Sequence, residues 1–378
     1  MKRHKLPHLL AITTLCSFLG ADTASSIREI RSVDAEGRGN ESAAEAWSKI
    51  TKGDANTIPV LLAAMDDANV LAANWLRSAV DTIAQRNTKS LPIAELEEFL
   101  SNRNHNPKAR RLAYELIARS KPALAKKLIK NMLNDPSVEL RREAVQGILD
   151  RAQKEDSTKL YQTALDAARD IDQIDEAKNA LTEAGIKVDL PLHFGFLMHW
   201  KEEGPFDNTG RKGFAPIYPP ENEINFAKSY TGKKGTVKWS NLKTADTYGM
   251  VDINEPYGHL KEVVAYAHHT FESNDARKAE IRLGCKNAWK IWLNGSLVFE
   301  RDEYHRGMRI DQYTLPIEIQ KGKNQLLIKL CQNEQKESWT DQWQFQLRIC
   351  DSSGTAILAK NRLPTPQPKA PTRRPKRG

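Results

Sequence analysis

WKIWLNGSLVFER, residues 289–301, decides the fold of the second half of the chain. Two runs of alternating apolar residues flank the pair Asn294-Gly295. A type I′ turn needs a positive φ at both central positions, and Asn and Gly tolerate that conformation best. The stretch therefore predicts a β-hairpin that sets the register of the strands around it.

Short apolar alternations and glycine turns surround this hairpin, from residue 190 to residue 358. Their spacing is typical of an antiparallel β-sandwich or jelly roll, and no part of this region predicts a helix. Trp289 and Trp292 point to opposite faces of their strand, so we expect one in the core and the other nearer to solvent. The other predicted strands are residues 190–200, 236–239, 248–253, 263–270, 279–283, 313–319, 325–331 and 343–350.

Residues 42–186 have a helical pattern, because apolar residues recur there at three- and four-residue spacing. Related segments begin at four positions: NVLAANWL at Asn69, NPKARRLA at Asn106, DPSVELRREA at Asp135 and a fainter DIDQIDEAKNAL at Asp170. Their spacing matches one helical hairpin with its turns, and such hairpins bury their apolar faces by stacking. The pattern predicts a short curved solenoid of about four helix pairs, with an irregular helical bundle as the alternative.

Basic charge is confined to the two ends of the chain. Three basic residues in 1–21 and six in 361–378, with no acidic residue in either segment, account for the net charge of +9. A nucleic-acid-binding domain carries such charge on its folded surface, so we expect nucleic acid as a partner only of the basic tail. This tail, residues 359–378, is rich in proline and lacks aromatic residues, a composition that predicts disorder.

An export signal is predicted over residues 1–24. Lys2, Arg3 and Lys5 precede an uncharged apolar stretch, residues 9–20, and small residues follow it. The stretch is shorter than the ~20 apolar residues of a membrane span, so we expect no transmembrane segment in the mature chain. The protein is therefore predicted to be secreted or periplasmic. A buried amphipathic helix at the start of a cytoplasmic protein is the alternative.

Beyond this signal the cysteines are Cys285, Cys331 and Cys350, all in predicted strands. An odd number leaves at least one free thiol in a monomer, and the absence of a C-x-x-C pair excludes a zinc ribbon or a thioredoxin-type site. Three buried thiols that act as small apolar side chains are the favoured state. The sequence leaves open whether two of the three form a disulfide.

The third helical segment resembles the second helix of a HEAT repeat, through the residues Asp135, Pro136, Val138, Arg141 and Ala144. This resemblance implies a scaffold that docks a protein partner. Together with the second half, it gives an α+β multidomain chain. HEAT-like helical repeats are expected over residues 40–187, followed by an antiparallel β-sandwich over residues 190–358.

The second half resembles the galactose-binding-like jelly roll, the fold of the sugar-binding domain of bacterial β-galactosidases and of many carbohydrate-binding modules. The resemblance covers residues 279–354 and lies in Trp292, Leu293, Asn294, Gly295, Gly322, Asn324, Leu326 and Leu330. These residues set a turn and packed strands, so the resemblance implies the jelly-roll fold. It also implies carbohydrate as the ligand. It identifies no binding residue. The whole chain is similar to exported bacterial proteins that join HEAT-like repeats to such a domain.

Candidate binding residues come from the aromatic and polar side chains of the β part. The segment RDEYHRGMRIDQY, residues 301–313, is its densest polar cluster, and loops that join rigid strands usually carry binding residues. Flat aromatic rings offer surfaces on which sugars stack. The alternatives are a solvated connection for the loop and core positions for the rings. The candidate ligand-binding residues are Trp292, Tyr304, His305, Arg306, Asp311 and Trp339.

No motif for catalysis or for a metal site is present. The sequence contains no H-E-x-x-H, no G-x-S-x-G and no phosphate-binding glycine loop. The adjacent His268 and His269 point to opposite faces of a strand. We predict no cofactor, and the sequence leaves open whether the sandwich holds a structural calcium ion. The leading prediction is a non-catalytic exported protein whose repeats dock a protein and whose sandwich binds carbohydrate; the alternatives are an assembly protein that binds only protein and a glycan-active enzyme.

Overall fold

A computed structural model describes residues 21–34, 37–305 and 307–367 of the chain. The chain divides into two compact units, residues 1–160 and 161–378. Helices form the first unit, and antiparallel sheets dominate the second. Most of the predicted export signal lies outside the described residues. Among the helices that are described, none has the length and apolar composition of a membrane span.

Helices make up most of the described part of the first unit. They are α1 Ala21–Arg31, α2 Asn40–Ile50, α3 Ile58–Ala63, α4 Val70–Arg86, α5 Ile93–Ser101, α6 Pro107–Ser120, α7 Pro122–Leu128 and α8 Val138–Glu155. The next helix, α9 Thr158–Ala167, carries the chain into the second unit, where α10 Ile171–Glu183, α11 Leu190–Phe194, α12 Pro219–Asn222 and α13 Asn254–Tyr257 follow.

Polar side chains fix the starts of the helices that open the repeated segments. The side chain of Asn69 accepts a hydrogen bond from the amide of Ala72 at 2.9 Å, and Asn106 accepts one from Lys108 at 2.9 Å. These bonds satisfy amide groups that have no partner within the helix. The three segments at Asn69, Asn106 and Asp135 therefore begin α4, α6 and α8.

The helices α4, α6 and α8 pack in chain order, α4 against α6 and α6 against α8. Ion pairs join both interfaces: Arg77 lies 3.5 Å from Glu115, and Arg111 lies 2.6 Å from Glu143. Apolar residues on the other side of these helices form the core of the first unit, which includes Leu76, Val80, Leu112, Leu116 and Leu140. The repeated segments thus form neighbouring helices.

A buried ion pair links α6 to the turn before α8. The guanidinium of Arg110 donates to both carboxylate oxygens of Asp135, at 2.6 and 2.7 Å. It also donates twice to the carbonyl oxygen of Leu100, at 2.8 and 2.9 Å. Both charged side chains are 1% exposed. The pair therefore holds three segments of the first unit together without contact with water.

The described residues of the second unit include twelve strands, which form three antiparallel sheets. Their order is β4-β1-β6-β11-β8-β9 in the largest sheet, β10-β7-β12-β5 in the second and β2-β3 in the third. The strands are β1 His199–Asp207, β2 Ser229–Gly232, β3 Gly235–Lys238, β4 Ser240–Lys243, β5 Val251–Asp252, β6 Val263–Ser273, β7 Arg277–Cys285, β8 Ala288–Leu293, β9 Ser296–Arg301, β10 Tyr313–Ile319, β11 Gly322–Gln332 and β12 Gln344–Cys350.

The predicted hairpin is confirmed as β8 and β9. Asn294 and Gly295 have φ angles of 52° and 81°, as the two-residue turn requires. The turn is also tied to the neighbouring strand β11, because the amide of Asn294 donates to the carbonyl of Gln325 and its side chain accepts from the amide of Gln325, both at 2.8 Å. The hairpin therefore fixes the register of β8 against β11 as well as against β9.

The two larger sheets enclose a common apolar core and form a β-sandwich. Trp289, Ile328 and Ala265 contribute from the six-stranded sheet, and Ile281 and Leu347 contribute from the four-stranded sheet. All five residues are fully buried. Burial of this apolar surface is the main stabilising contribution to the second unit.

A second apolar layer covers the opposite face of the six-stranded sheet. Phe206, Tyr266 and Leu327 of the sheet pack there with Phe214 and with other residues of the segment 208–239. Trp292 joins this layer half-buried, whereas Trp289 is fully buried in the sandwich core. The prediction that these two rings differ in exposure is confirmed.

Most predicted strands are found, but two predictions in this region are wrong. The segment 190–200 begins as the helix α11, because the carboxylate of Asp189 accepts a hydrogen bond from the amide of Leu192 at 3.0 Å and Pro191 occupies the first turn. Gly195 ends the helix with a φ of 72°, and β1 begins only at His199. The segment 248–253 contributes only the two-residue strand β5, and α12 and α13 are also helices that the sequence does not predict.

Residues 359–367, which the composition assigns to the disordered tail, contact the sandwich. The guanidinium of Arg362 donates to the carbonyl oxygens of Phe196 and Pro191 at 3.0 and 2.9 Å. The side chain of Asn361 donates to the carbonyl of Thr270 at 2.9 Å. Hydrogen bonds from side chains therefore anchor this segment, which has few apolar residues to bury. The rest of the tail lies outside the described residues.

The three cysteines of the sandwich, Cys285, Cys331 and Cys350, are free and buried. This confirms the favoured prediction of three thiols in the strands. Burial raises the pKa of Cys285 and of Cys331 to about 12, so both stay protonated. They act as small apolar side chains in the packed layers.

Two adjacent glutamates of β1 are buried as well. Glu202 accepts a hydrogen bond from the hydroxyl of Ser240, whereas neither carboxylate oxygen of Glu203 has a partner among the described residues. Burial, with the neighbouring charge of Glu202 adding to it, raises the pKa of Glu203 to about 7. Burial raises the pKa of Glu202 to about 6, against the hydrogen bond from Ser240. Both carboxyl groups therefore titrate near neutral pH in the folded protein.

We expect the second unit to lose stability as the pH rises from 5 to 8. The pKa of Glu203 is higher in the folded than in the unfolded chain, so its contribution is fully present below the unfolded value and is lost as the pH passes about 7. The loss for Glu203 between these two pH values is about 2 kcal/mol. Urea unfolding followed by tryptophan fluorescence at both pH values measures it. Glu203→Gln should reduce the change of the free energy of unfolding with pH. Glu318→Gln, at an exposed position of β10, should leave that change as it is in the native protein. The same change with pH in all three proteins would contradict this assignment.

Candidate functional site

Three of the predicted site residues lie together at one end of the sandwich. Tyr304 and His305 belong to the connection between β9 and β10, and Trp339 belongs to the connection between β11 and β12. The rings of His305 and Trp339 meet edge to face with centroids 4.9 Å apart, and the rings of Tyr304 and His305 are 6.3 Å apart. We call these residues, with Arg211 and Glu334 beside them, the Trp339 cluster.

Trp339 is the most exposed aromatic residue of this cluster, with 61% of its surface accessible. A tight turn holds it there. The hydroxyl of the buried Thr340 donates to the carbonyls of Glu337 and Gln335 at 2.7 and 2.9 Å, and Lys261 donates to the carbonyl of Thr340 at 3.0 Å. The backbone under Trp339 is therefore fixed while its indole ring faces solvent.

An ion pair borders the rings of the Trp339 cluster. Arg211 and Glu334 form two hydrogen bonds, at 2.7 and 2.9 Å, and the guanidinium of Arg211 lies 5.0 Å from the centre of the Tyr304 ring. The hydroxyl of Tyr304 accepts a hydrogen bond from the side chain of Asn208 at 3.1 Å. The side chains of His305 and Asn333 are also in contact. The cluster therefore combines rings with several fixed donors and acceptors.

The titratable rings of the cluster are neutral at physiological pH. Burial lowers the pKa of His305, and the nearby charges of Arg211 and Lys261 lower it further. Burial raises the pKa of Tyr304 above its usual range. A neutral phenol and a neutral imidazole can each donate and accept hydrogen bonds. The backbone of His305 has a φ of 59°, a conformation that is uncommon outside glycine.

Asp311 lies in a different place, within a buried group of arginines. Its carboxylate accepts two hydrogen bonds from Arg348, both at 2.7 Å, one from Arg282 at 2.8 Å and one from Arg169 at 3.1 Å. The four side chains are between 1% and 8% exposed. Arg282 is also paired with Glu280 at 2.7 Å. The structure thus places Asp311 as the shared partner of three guanidinium groups and apart from the Trp339 cluster.

Trp292 lies apart from the Trp339 cluster as well, on the outward face of the six-stranded sheet, where it lines a separate cavity of about 410 Å³. Arg306 lies outside the described residues. Sequence reasoning missed Arg211, Glu334 and Asn208. Glu334 belongs to the polar stretch before Trp339, but Arg211 and Asn208 come from a connection near residue 210, and no local pattern relates them to the later loops.

No group of three or more His, Cys, Asp or Glu side chains within the described ranges is placed to hold a metal ion. The imidazole of His269 contacts the carbonyl oxygen of His199 at 2.7 Å, and His268 lies on the other face of β6.

No protein-family model matches the chain, and no curated protein matches it. Among solved structures, a PA14 sugar-binding domain from an RTX adhesin is 13% identical with a TM-score of 0.23, covering 40% of this chain and 88% of that domain. A β-glucosidase from Kluyveromyces marxianus is 8% identical with a TM-score of 0.27, covering 76% and 37%. An α-xylosidase from Xanthomonas citri is 8% identical with a TM-score of 0.20, and the chain spans 15% of its length. Similarity this low does not establish a shared fold.

Proposed function

We propose that the second unit binds carbohydrate without catalysis, through the Trp339 cluster. The observation that carries the proposal is the exposed indole of Trp339, held on a fixed turn beside hydrogen-bonding groups. The C–H face of a sugar packs well on a flat ring, and polar groups at the edge of that ring select the hydroxyl pattern. A rigid ring that is already exposed loses little conformational freedom when a ligand binds.

The polar groups around Trp339 suit a neutral polyol. Arg211 and Glu334 neutralise each other across two hydrogen bonds, and Tyr304 and His305 carry no charge. These side chains supply both donors and acceptors, as sugar hydroxyls require. We therefore propose a neutral glycan as the ligand class.

The carboxylates near Trp339 argue against glycoside hydrolysis. A glycosidase needs one carboxyl group with a raised pKa as the acid and a second, ionised one. The hydrogen bond from Arg211 lowers the pKa of Glu334, and the hydrogen bond from Lys261 lowers the pKa of Asp341. The glutamates with raised pKa, Glu202 and Glu203, are buried in β1. We therefore propose a binding role in preference to an enzymatic one.

We further propose that the first unit is a HEAT-like scaffold that docks a protein partner, and that the protein is secreted or periplasmic. The packing of α4, α6 and α8 in chain order supports the repeat. The basic and apolar start of the sequence supports export. Binding by protein alone, with the sandwich as an assembly module, is the alternative, because an exposed tryptophan is also a frequent anchor in protein interfaces.

A glycan array probed with the full chain tests the carbohydrate proposal. We expect binding to a defined set of neutral glycans and a loss of about tenfold or more in Trp339→Ala. Phe226→Ala removes another exposed ring of the second unit and should leave the affinity unchanged. Silence across the array would favour the assembly role. Retained binding in a Tyr304→Ala, His305→Ala and Trp339→Ala triple variant would show that the site lies elsewhere.

A further inference from the structure

A separate cavity lies on the outward face of the six-stranded sheet, between the tip of the β8–β9 hairpin and the segment that contains α12. Its volume is about 410 Å³, which is within the range of small-molecule sites. Its lining includes Glu221, His268, Trp292, Lys323, Gln325 and Leu327. It shares no residue with the Trp339 cluster.

The floor of this cavity is a row of cross-strand neighbours. Leu327 of β11 pairs with His268 of β6 on one side and with Trp292 of β8 on the other. Adjacent strands are about 4.8 Å apart, so the row spans about 10 Å of largely apolar surface. Leu327 is 7% exposed and His268 is 3% exposed, so the half-buried Trp292 supplies most of the accessible floor. A flat floor of this kind fits the face of a ring.

The rim of the cavity is polar, and its charges are mostly paired. Glu221 lies 2.9 Å from the buried ammonium of Lys329, and Glu223 lies 2.7 Å from Lys228. Gln325 and Lys323, two residues apart on β11, are exposed, and Lys323 has no ion-pair partner among the described residues. The rim thus offers an amide, an ammonium and shielded carboxylates to a ligand on the floor.

Three features keep the cavity open before any ligand binds. The hairpin tip is tied to β11 by the two hydrogen bonds between Asn294 and Gln325. Lys329 fixes the opposite wall, because its ammonium donates to the carbonyls of Phe214 and Pro216 at 2.9 and 2.6 Å. Burial lowers the pKa of His268 to about 4, so the floor carries no charge at neutral pH. Preformed walls reduce the ordering cost of binding.

We propose that this cavity is a second ligand site, which takes one ring of a neutral sugar, stacked on Trp292 and held at its hydroxyl groups by Gln325 and Lys323. An apolar floor with an amide at its edge selects a ring that has one C–H face and polar substituents around it. The carboxylates, already paired with Lys329 and Lys228, accept hydrogen bonds from the hydroxyl groups of a neutral sugar. The site is independent of the Trp339 cluster and stands if that cluster binds no glycan.

Fluorine NMR of the full chain labelled with 5-fluorotryptophan tests the site, because each of the eight tryptophans gives its own resonance. The resonance missing in Trp292→Phe identifies Trp292. The probes are the methyl glycosides of galactose, glucose and mannose, with glucuronate as the anionic comparison, each to about 50 mM. We expect at least one neutral glycoside to shift the Trp292 resonance saturably, in the native protein and in Trp339→Ala.

Gln325 and Lys323 are exposed rim positions, so their variants leave Trp292 and Leu327 of the floor in place. Gln325→Ala and Lys323→Ala should each weaken the response of Trp292 about fivefold or more. A Trp292 resonance that no neutral glycoside moves, or that only glucuronate moves, would overturn the proposal. So would a response that these variants leave unchanged. A responsive Trp292 beside an unresponsive Trp339 would count against the Trp339 cluster as a glycan site and leave this site standing.

Discussion

Asp311→Ala is expected to lower the free energy of unfolding of the second unit by at least about 3–5 kcal/mol. The carboxylate of Asp311 is the shared acceptor for Arg169, Arg282 and Arg348, and all four side chains are buried. Removing it leaves three guanidinium groups close together, with Glu280 as the remaining carboxylate partner of Arg282. A loss of this size is a large fraction of the stability of a typical domain.

Protonation should reproduce part of this effect. Burial alone would raise the pKa of Asp311, but the charges and hydrogen bonds of the three arginines, Arg348 first, outweigh it and hold the pKa well below its usual range. A pKa lowered by folding contributes stability that is present above the unfolded value and is lost as the pH falls. Asp311→Asn, which keeps the shape and removes the charge, should therefore lose stability at pH 7 and be less sensitive to acid than the native protein.

Tryptophan fluorescence measures the second unit in the full chain, because Trp200, Trp239, Trp289, Trp292, Trp339 and Trp343 lie in it and only Trp47 and Trp75 lie in the first. We expect the fluorescence transition in urea to move to lower concentration in Asp311→Ala and Asp311→Asn. Asp275→Asn, at an exposed turn between β6 and β7, is the matched control and should change little. If Asp311→Ala and the control unfolded at the same urea concentration, the arginine group would not be the support that its geometry indicates.

Local signals made the sandwich predictable. The Asn294-Gly295 turn needs a backbone conformation that few residue pairs adopt, so its position fixed β8 and β9. Alternation then placed the other long strands within a few residues, because each buries one face in the core. The segment 190–200 shows the limit of that signal. Its alternation is real, but the cap at Asp189 and the proline that follows favour a helical turn, and capping outweighed the pattern.

The candidate site could be predicted only in part. Tyr304, His305 and Trp339 lie in two connections at the same end of the sandwich, so their proximity follows from the topology. Arg211 reaches them from a connection about ninety residues earlier, which no local pattern indicates. Asp311 shares its loop with Tyr304, yet its environment depends on arginines from distant segments. From the sequence alone, an aspartate in a polar loop cannot be distinguished from one that forms a buried ion pair.

Asp135→Ala is expected to destabilise the first unit by about 3–5 kcal/mol. The change removes both hydrogen bonds to the guanidinium of Arg110, which is 1% exposed, and leaves that charge buried beside the carbonyl of Leu100. It also removes the acceptor for the amide of Ser137 at 2.9 Å, which precedes α8. Far-UV circular dichroism at the helical band reports mainly on this unit. Its urea transition should move while the tryptophan transition of the second unit stays in place.

Further variants separate the charge from the turn at Asp135. Asp135→Asn keeps an acceptor for Ser137, so any loss beyond the control Asp150→Asn, at an exposed position of α8, measures the ion pairs of Asp135: the buried one with Arg110 and a longer, half-exposed one with Arg103. Arg110→Leu combined with Asp135→Ala removes both charges and should recover part of the stability, because neither partner is then left buried alone. A double variant no more stable than Asp135→Ala would mean that the hydrogen bonds to Leu100 and Ser137, and not the ion pair, hold these helices together.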